Sequence, residues 1–451
     1  MAPRRRHPIL NQALAAAIAQ AGWTHAVAAA AINRVAAENL LPLRHYGPSA
    51  IGHWLTGTIP QPEGACAAVE AFRRGLRRPD LTSADLGWPA APADESADDP
   101  WQGDPVAKLT ALGEDDMLSR RTALTAGMYS LAALALSGSP GPPVQRAGTP
   151  RRRAGATDVQ RIEETTRYFS DLDDLYGGGH ARTAVAAYLV HEVTPLLHDT
   201  TGRAHPALFS AASRLAYLAA YMAMDAGAHG IAQRYYVQAS RLGAEAGSPA
   251  LRATALRSMA VQALELGHAR EGLDLADAAA AALGTCGPQR TQAWVTGMRA
   301  EAHAAVGDRR QALALLRRAE AELERADSVP EAEWIGNYRR ESLEHQTGLA
   351  LTALGEHSTA VSHYEASAFC RRPVERRTRV MIGARLAHAQ LRDGQPDRAA
   401  DTVLKLRDDL AAVSSARTRK TLVQVRRQWH PQRSVPAVME ADSLVAGVLR
   451  R

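Results

Sequence analysis

The stretch that decides the fold is AGAHGIAQRYYVQA, residues 226–239. Gly227 is followed five, nine and twelve positions later by Ala232, Tyr236 and Ala239. A helical hairpin needs a tight turn, where glycine relieves the backbone, and then small residues where the two helices cross closely. The stretch therefore predicts the turn and the second helix of a helical hairpin.

The same pattern starts again at four further glycines, and the successive spacings are 40, 40, 48 and 39 residues. These glycines are Gly267, Gly307, Gly355 and Gly394. The residues at the three offsets are Gly272, Ala276 and Ala279; Ala312, Leu316 and Ala319; Ala360, Tyr364 and Ser367; and Ala399, Val403 and Leu406. Five stacked hairpins form a solenoid. With many alanines and leucines and few aromatic residues, the sequence predicts an all-α chain with an α-solenoid over residues 157–430.

The repeated pattern resembles the second half of the tetratricopeptide repeat (TPR), with a period longer than that repeat's roughly 34 residues. In such a stack the first helix of each hairpin lines the inner surface, which suits a peptide or a helix of a partner. Counting back from the turn glycines gives the groove candidates Arg214, Tyr217, Tyr221, Asp225, Arg257, Glu301, His345, Gln346, Arg385 and His388. Trp334, Asn337 and Tyr338 join them from the insertion before Gly355. The alternative is that these residues form ordinary solvated helix faces.

Composition divides the remaining chain. Residues 1–88 form a basic N-terminal domain, residues 89–156 an acidic and proline-rich linker that includes an apolar helix at 119–137, and residues 431–451 a tail or a capping helix. Residues 119–138 also look like a twin-arginine export signal, but they lie too far into the chain and the apolar run is too short to span a bilayer. We therefore expect a buried or docking helix there, and no membrane association.

The N-terminal domain contains the helix–turn–helix pattern of repressor-like bacterial regulators. The matching residues are Gly22, Trp23 and Thr24, which open one helix, and Ser49, Trp54 and Gly57, which mark a short exposed helix. This resemblance implies DNA binding. The candidate DNA-contacting residues are Arg4, Arg5, Arg6, Thr24, Arg34, Arg44, His45, Ser49, His53 and Thr56. The basic arm suits a minor groove, and Arg34, Arg44 and His45 suit phosphates.

Both parts together resemble actinobacterial, Streptomyces-type transcriptional regulators with a divergent helix–turn–helix followed by TPR-like repeats. The resemblance implies a DNA-binding regulator of differentiation or antibiotic production, in some members a repressor. We expect its solenoid to bind a peptide or protein effector and to form a homodimer. The rival hypothesis is a protein-interaction scaffold that does not bind DNA, because the short helix 48–56 contains neither arginine nor lysine, on which base reading depends.

The remaining sequence signals argue against catalysis. The net charge of +6 permits a polyanionic partner without requiring one. Cys66, Cys286 and Cys370 have no CxxC spacing, so we expect neither disulfides nor a zinc site, and a cytoplasmic chain. GGGHAR at 177–182 lacks the lysine of a phosphate loop, and the histidines near 180–205 lack metal-ligand spacing. The sequence therefore predicts no enzyme, no cofactor and no metal.

Overall fold

The computed structural model describes residues 8–39, 41, 45–90, 99–118, 128–134, 155–198, 204–285, 287–326, 338–432 and 435–450. Every regular element in these ranges is helical, as the sequence predicts. The predicted basic arm Arg4–Arg6, and also Arg44, Cys286, Trp334 and Asn337, lie outside the described residues.

The N-terminal domain has four α-helices: α1 (Gln12–Gln20), α2 (His25–Glu38), α3 (Pro48–Leu55) and α4 (Pro62–Leu76), followed by a 3-10 turn at Ala84–Leu86. Helix α2 packs on both α3 and α4. Their core includes Leu14, Ile32, Trp54, Phe72 and Trp88, all of which are buried. The Trp54 ring meets the Trp88 ring edge-on, with 5.7 Å between centroids. This contact ties the end of the domain to α3.

The predicted linker contains structure that its composition did not reveal. Residues Pro105–Leu118 form helix α5, which packs on the solenoid. Asp104 accepts a hydrogen bond from the Val106 N–H (3.1 Å) and so caps it, while Val106, Leu109 and Leu112 are buried. The predicted apolar helix 119–137 also differs: residues 128–130 have no regular structure, and a single 3-10 turn covers Ala132–Leu134. Hydrogen bonds from residues 129 and 130 to neighbouring helices, described below, hold residues 128–134 in this conformation.

The solenoid starts with α6 (Ala156–Tyr176), α7 (Arg182–Tyr188), a π-helical turn (Leu189–Val193) and α8 (Thr194–His198). Five hairpins follow: α9 (His205–Asp225) with α10 (His229–Glu245), α11 (Pro249–Leu266) with α12 (Ala269–Leu283), α13 (Gln289–Ala305) with α14 (Arg309–Glu324), α15 (Arg340–Ala353) with α16 (His357–Phe369), and α17 (Arg376–Arg392) with α18 (Pro396–Lys405). The chain closes with α19 (Arg407–Ala412), α20 (Ala416–Gln428), a 3-10 turn (His430–Gln432) and α21 (Pro436–Arg450), which packs on α18 as a cap.

The predicted turn glycines lie between the helices of each hairpin. All five have positive φ, from 76° at Gly394 to 88° at Gly267, in the left-handed region that favours glycine. The side chains at the three offsets after each glycine are buried in the hairpin interior. The sequence pattern therefore marks both the turn and the helix crossing of every hairpin.

The two ends of the solenoid contact each other. Helix α17 packs on α6, and α20 packs on α17 and α9. Ser414 donates its backbone N–H to the Tyr176 carbonyl (2.9 Å). A Cβ at Gly177 would lie 2.3 Å from the Ser414 carbonyl oxygen, so only glycine permits this approach. The successive hairpins therefore bring the last helices back against the first.

Within the part of the chain that the structure describes, helix α9 is long and apolar enough to cross a bilayer, but 72% of its apolar window is buried inside the protein. Such burial is typical of a core helix.

Candidate functional site

The inner surface of the solenoid collects side chains from six helices. These side chains are Tyr217 and Tyr221 on α9, Arg257 and Glu265 on α11, Trp294 and Glu301 on α13, His345 on α15, Arg385 on α17 and Arg417 on α20. Glu301 is buried, and the others are partly buried. Six of these are predicted groove residues. Tyr217 and Tyr221 are one helical turn apart, and their rings stack with 6.4 Å between centroids. The first helices of the hairpins therefore carry this surface, as the repeat geometry predicts.

Glu265 connects two arginines across the interior. Its carboxylate accepts hydrogen bonds from Arg385 (2.6 Å) and from Arg417 (2.8 and 2.5 Å). Burial acts to raise the pKa of Glu265, but Arg417 and Arg385 outweigh it and hold that pKa at about 2. Three helices that are distant in sequence, α11, α17 and α20, are thus joined by one carboxylate.

Arg377 joins α17 to α6 and α9. It lies 3.1 Å from the Asp173 carboxylate and 2.9 Å from that of Asp174. It also donates to the Tyr221 hydroxyl (2.8 Å), and its guanidinium lies 4.8 Å from the centre of the Tyr221 ring. Arg377 is buried and is paired with two acids and a tyrosine of the protein, so it supports the inner surface.

Arg257 has a different environment. Its guanidinium lies over the Trp294 ring, 4.4 Å from the ring centre, in a cation–π contact between α11 and α13. Its Nε is buried and has no hydrogen-bond partner among the described residues. Glu301 is an acid that interacts with it electrostatically: burial raises the pKa of Glu301, and Arg257 acts to lower it. Arg257 is thus a positioned cation whose hydrogen-bonding capacity is not used.

The pKa of His345 shows how burial and the neighbouring arginines act on this surface. Burial lowers its pKa well below the ordinary value, and Arg385, Arg371, Arg417 and Arg257 lower it further. The imidazole is therefore neutral, and its Nε2 accepts a hydrogen bond from Arg385 (2.7 Å). Four guanidinium groups acting on one imidazole make this part of the surface electropositive.

Three predicted groove residues are instead part of the buried framework. Asp225 is fully buried and accepts hydrogen bonds from the Gly178 N–H (3.0 Å) and the Ser415 hydroxyl (2.7 Å). Tyr338 donates to the buried amide of Gln346 (2.8 Å). Counting back along a helix predicts the side of the helix, but it does not show that a neighbouring helix covers that side.

Arg214 and His388 face neighbouring helices. Arg214 pairs with Glu163 of α6 (2.7 Å). His388 is half-buried, and its pKa is lowered by burial and then by Arg392 and His357, which lie near the turn ends of α17 and α16.

Sequence reasoning missed Glu265, Trp294, Arg377 and Arg417. Glu265 and Trp294 were detectable, because they lie on the first helices of hairpins. Arg417 lies in the basic segment ARTRK after the last hairpin, which the sequence marks as a cap or a polyanion contact. Its position on the inner surface depends on the contact between the two ends of the solenoid, and no local sequence pattern predicts that contact.

In the N-terminal domain, Ser49 and His53 are exposed on one side of α3, and Arg34 and His45 are exposed nearby on α2 and in the loop before α3. Asn33 holds that loop by accepting from the Tyr46 N–H (2.9 Å) and donating to the Tyr46 carbonyl (2.8 Å). The predicted Thr24 is the N-cap of α2, where it accepts from the Val27 N–H (3.3 Å), and the Thr56 hydroxyl donates to the His53 carbonyl (3.0 Å). Both threonines therefore have structural roles.

The N-terminal domain is fixed to the solenoid through residues 128–134. Arg74 of α4 pairs with Glu38 (2.7 Å) and Glu70 (2.8 Å) and donates to the Tyr129 carbonyl (2.9 Å). On the other side, the backbone of Ser130 exchanges two hydrogen bonds with the Gln233 amide of α10 (2.9 and 2.7 Å). The segment is thus bound to both parts of the chain.

Two other candidate sites are weaker. Among the described residues, no group of three or more histidine, cysteine or acidic side chains is arranged to hold a metal ion. A pocket of about 280 Å³ opens between α14, α15 and α16, where α14 makes few contacts with α15. Its floor includes Leu316 and Leu343, and on its rim Arg340 pairs with Glu320 (2.5 Å) and Glu344 (2.7 Å). Arg340 on its rim is thus already paired with two acids.

Comparisons with known proteins found one matching family model and several similar solved structures. Residues 14–89 match the family described as the SP15 N-terminal domain. A search of the curated proteins found no match. Among solved structures, the TPR-like repeats of a kinesin light chain from Podospora anserina are 17% identical, with a TM-score of 0.32, over 44% of this chain and 95% of that one. A Rap protein in complex with Competence and Sporulation Factor is 11% identical, with a TM-score of 0.40, over 65% of this chain and 97% of that one. The helix order and the contacts between successive hairpins show that the fold of this chain is an all-helical α-solenoid with an N-terminal helical domain.

Proposed function

We propose that this chain is a protein-interaction scaffold whose solenoid binds a peptide or a protein segment on its inner surface. The observation that carries this proposal is the convergence of partly buried aromatic and charged side chains from successive first helices around Arg257 and Trp294. Tyrosine and tryptophan supply contact area with little loss of conformational freedom, and arginine supplies directional donors. We place this activity in the cytoplasm and assign no catalytic step to it.

The segment 128–134 gives the scaffold a route for communication. It contacts α10 of the first hairpin on one side and α4 of the N-terminal domain on the other. A ligand that binds one arrangement of the hairpins more tightly than another then shifts the equilibrium between them. The contact with the N-terminal domain changes by no more than this difference in binding free energy.

The test is selection from a phage-displayed random peptide library on the full-length protein, with Trp294→Ala as the disrupted variant. Trp294 is partly buried beside Arg257, whereas the control Tyr168→Ala removes an aromatic side chain that is 61% exposed on α6. We expect a selected peptide family that binds wild type and Tyr168→Ala equally and Trp294→Ala about tenfold or more weakly. Selection that fails, or that ignores Trp294→Ala, contradicts the proposal.

DNA-binding transcriptional regulation is the second candidate, as a repressor or otherwise. It is favoured by the exposure of Ser49 and His53 on one side of α3, with Arg34 and His45 exposed nearby. Major-groove reading requires such a helix side, and phosphate contacts require flanking cations. A homodimer would present two such helices to one operator.

This candidate is tested by sequencing the fragments of host genomic DNA that the full-length protein retains, beside the Ser49→Ala, His53→Ala double variant. Discrete sites that disappear in the double variant support sequence reading by α3. Retention without sequence preference, lost steeply as salt rises, indicates phosphate contacts alone. No retention leaves the scaffold function and rejects the regulator.

A further inference from the structure

Arg257 is an arginine without a counter-ion in a chain where most inner arginines have one. Arg377 pairs with Asp173 and Asp174, while Arg385 and Arg417 share Glu265. No ion pair within 4.0 Å involves Arg257 among the described residues, and its buried Nε lacks an acceptor. Leaving a buried charged donor unsatisfied is costly. Arg257 as a whole is only partly buried, so an acceptor from outside the chain meets the terminal amino groups of its guanidinium and not the buried Nε.

The surroundings of Arg257 favour a planar anion. The Trp294 ring covers one face of the guanidinium at 4.4 Å and fixes its orientation, while the in-plane N–H groups remain the donors. Tyr217 stands nearby and shares a hydrogen bond with Ser258, one residue along α11 (3.0 Å). A carboxylate matches the fork of donors that a guanidinium presents, and a charge-assisted bond of this kind is stronger than a neutral one.

We propose that Arg257, stacked on Trp294, is the anchor for a carboxylate of the peptide that occupies the inner surface. This inference rests on the proposed scaffold function and names the ligand chemistry that the surface selects. Glu301 is the internal competitor, because its carboxylate is the acid that acts on Arg257 without forming an ion pair with it. Removal of Arg257 and removal of Glu301 therefore have opposite effects on the affinity for an anion.

The probes are three random-sequence octapeptide pools: one with a free C-terminal carboxylate and no acidic residues, one amidated with acidic residues, and one amidated without them. Each pool is incubated with the full-length protein, and bound peptides are identified by mass spectrometry after gel filtration. We expect retention of either carboxylate-bearing pool to exceed that of the third pool by about tenfold. The first two pools distinguish a terminal carboxylate from a side-chain carboxylate.

The variants make the test specific. Arg257→Gln abolishes the preference for carboxylates, and Glu301→Gln increases it. The control Arg299→Gln removes an arginine that pairs with Asp277 (2.7 Å) and leaves the preference unchanged. Equal retention of all three pools by wild type and Arg257→Gln overturns the anchor while leaving the scaffold function standing.

If none of the three pools is retained, the proposed scaffold function is overturned. A second measurement then tests the Arg257 anchor independently of peptide binding. Unfolding temperatures are compared in sodium succinate and in sodium chloride at the same ionic strength. We expect succinate to raise the unfolding temperature of wild type and Glu301→Gln more than that of Arg257→Gln, because only the first two retain the anchor. An equal rise in all three proteins overturns the anchor whatever the peptides show.

Discussion

Glu265 shows how one acidic side chain is stabilised in its charged form inside a helical stack. Burial alone would raise its pKa, yet two guanidinium groups within 2.6 Å of its oxygens lower that pKa to about 2. A carboxylate with a depressed pKa in the folded state contributes stability that is complete above its unfolded pKa of about 4.3. That contribution is lost as the pH falls toward the folded value.

Glu265→Gln therefore lowers the free energy of unfolding near neutral pH by about 2–3 kcal/mol, because it leaves Arg385 and Arg417 without their counter-ion. The difference from wild type narrows as the pH falls from about 4.5 to about 2, where the wild-type carboxylate also becomes neutral. Urea unfolding followed by circular dichroism at about pH 7, 4 and 3 measures both effects. Asp401→Asn, which removes an acid that is 62% exposed, is the control and stays within about 0.5 kcal/mol of wild type. A difference that stays constant with pH would contradict this account.

At the residue scale, sequence reasoning placed Tyr217, Tyr221, Arg257, Glu301, His345 and Arg385 on the inner surface. It did so because these positions repeat with the hairpins, and their role in binding stays a prediction. It placed Asp225, Tyr338 and Gln346 there too, whereas their partners bury them. Partners such as Ser415 are far away in sequence, and periodicity contains no information about them.

Among the elements, glycines have two separate functions. Those in the hairpin turns have positive φ, while Gly297 lies within α13 where it crosses α15. A Cβ at Gly297 would lie 2.2 Å from the Gln346 Oε1 and 2.8 Å from the Tyr338 hydroxyl. Since Tyr338 donates to Gln346, the missing side chain of Gly297 leaves room for a buried polar pair between two hairpins.

Gly297→Ala is therefore expected to destabilise the protein by about 1–3 kcal/mol, even though alanine is the better helix former. The matched control is Gly447→Ala in α21, where a Cβ would meet nothing within 4 Å. That change should stabilise the protein by up to about 1 kcal/mol. Chemical denaturation of both variants measures the difference, and a stabilising Gly297→Ala would show that α13 and α15 separate easily.

The elements also show where sequence patterns are sufficient. The hairpins could be predicted because each repeats a turn signal and a crossing signal. Helix α5 was hidden in a stretch whose prolines and acids resemble a linker, although Asp104 and Pro105 are the cap and first residue of that helix. Residues 128–134 are apolar enough for a helix, but their backbone bonds go to Gln233, Asn39 and Arg74. Tertiary contacts thus override local propensity there.

For the whole molecule, the main question is how firmly the N-terminal domain is held by the solenoid. Arg74 neutralises two buried acids, Glu38 and Glu70, at this junction, and Glu38 also lies 3.3 Å from His268 of the second hairpin. The pKa of Glu38 is lowered because His268 and Arg74 together outweigh its burial. One guanidinium therefore pairs with both acids at this junction.

Arg74→Gln leaves Glu38 and Glu70 without their shared cation and should lower the free energy of local unfolding at the junction by about 3–5 kcal/mol. Hydrogen exchange measured by mass spectrometry should then become faster in residues 128–134 and at the facing ends of α2 and α4, while α13–α17 keep their protection. Arg78→Gln, which removes an arginine that is 44% exposed, is the control and should leave exchange unchanged. Unaltered exchange at 128–134 in Arg74→Gln would show that apolar packing alone holds the junction.

The contact between the two ends of the solenoid also determines when the protein can be completed. In an open stack each hairpin is finished once its neighbour has been synthesised. Here Asp225 accepts a hydrogen bond from Ser415, which is synthesised 190 residues later. At ribosomal rates of roughly 5–20 residues per second, that interval is roughly 10–40 s. During it the first hairpins expose acids whose partners do not yet exist, so a nascent chain that stops early is an unfinished structure, and not a shorter version of the whole.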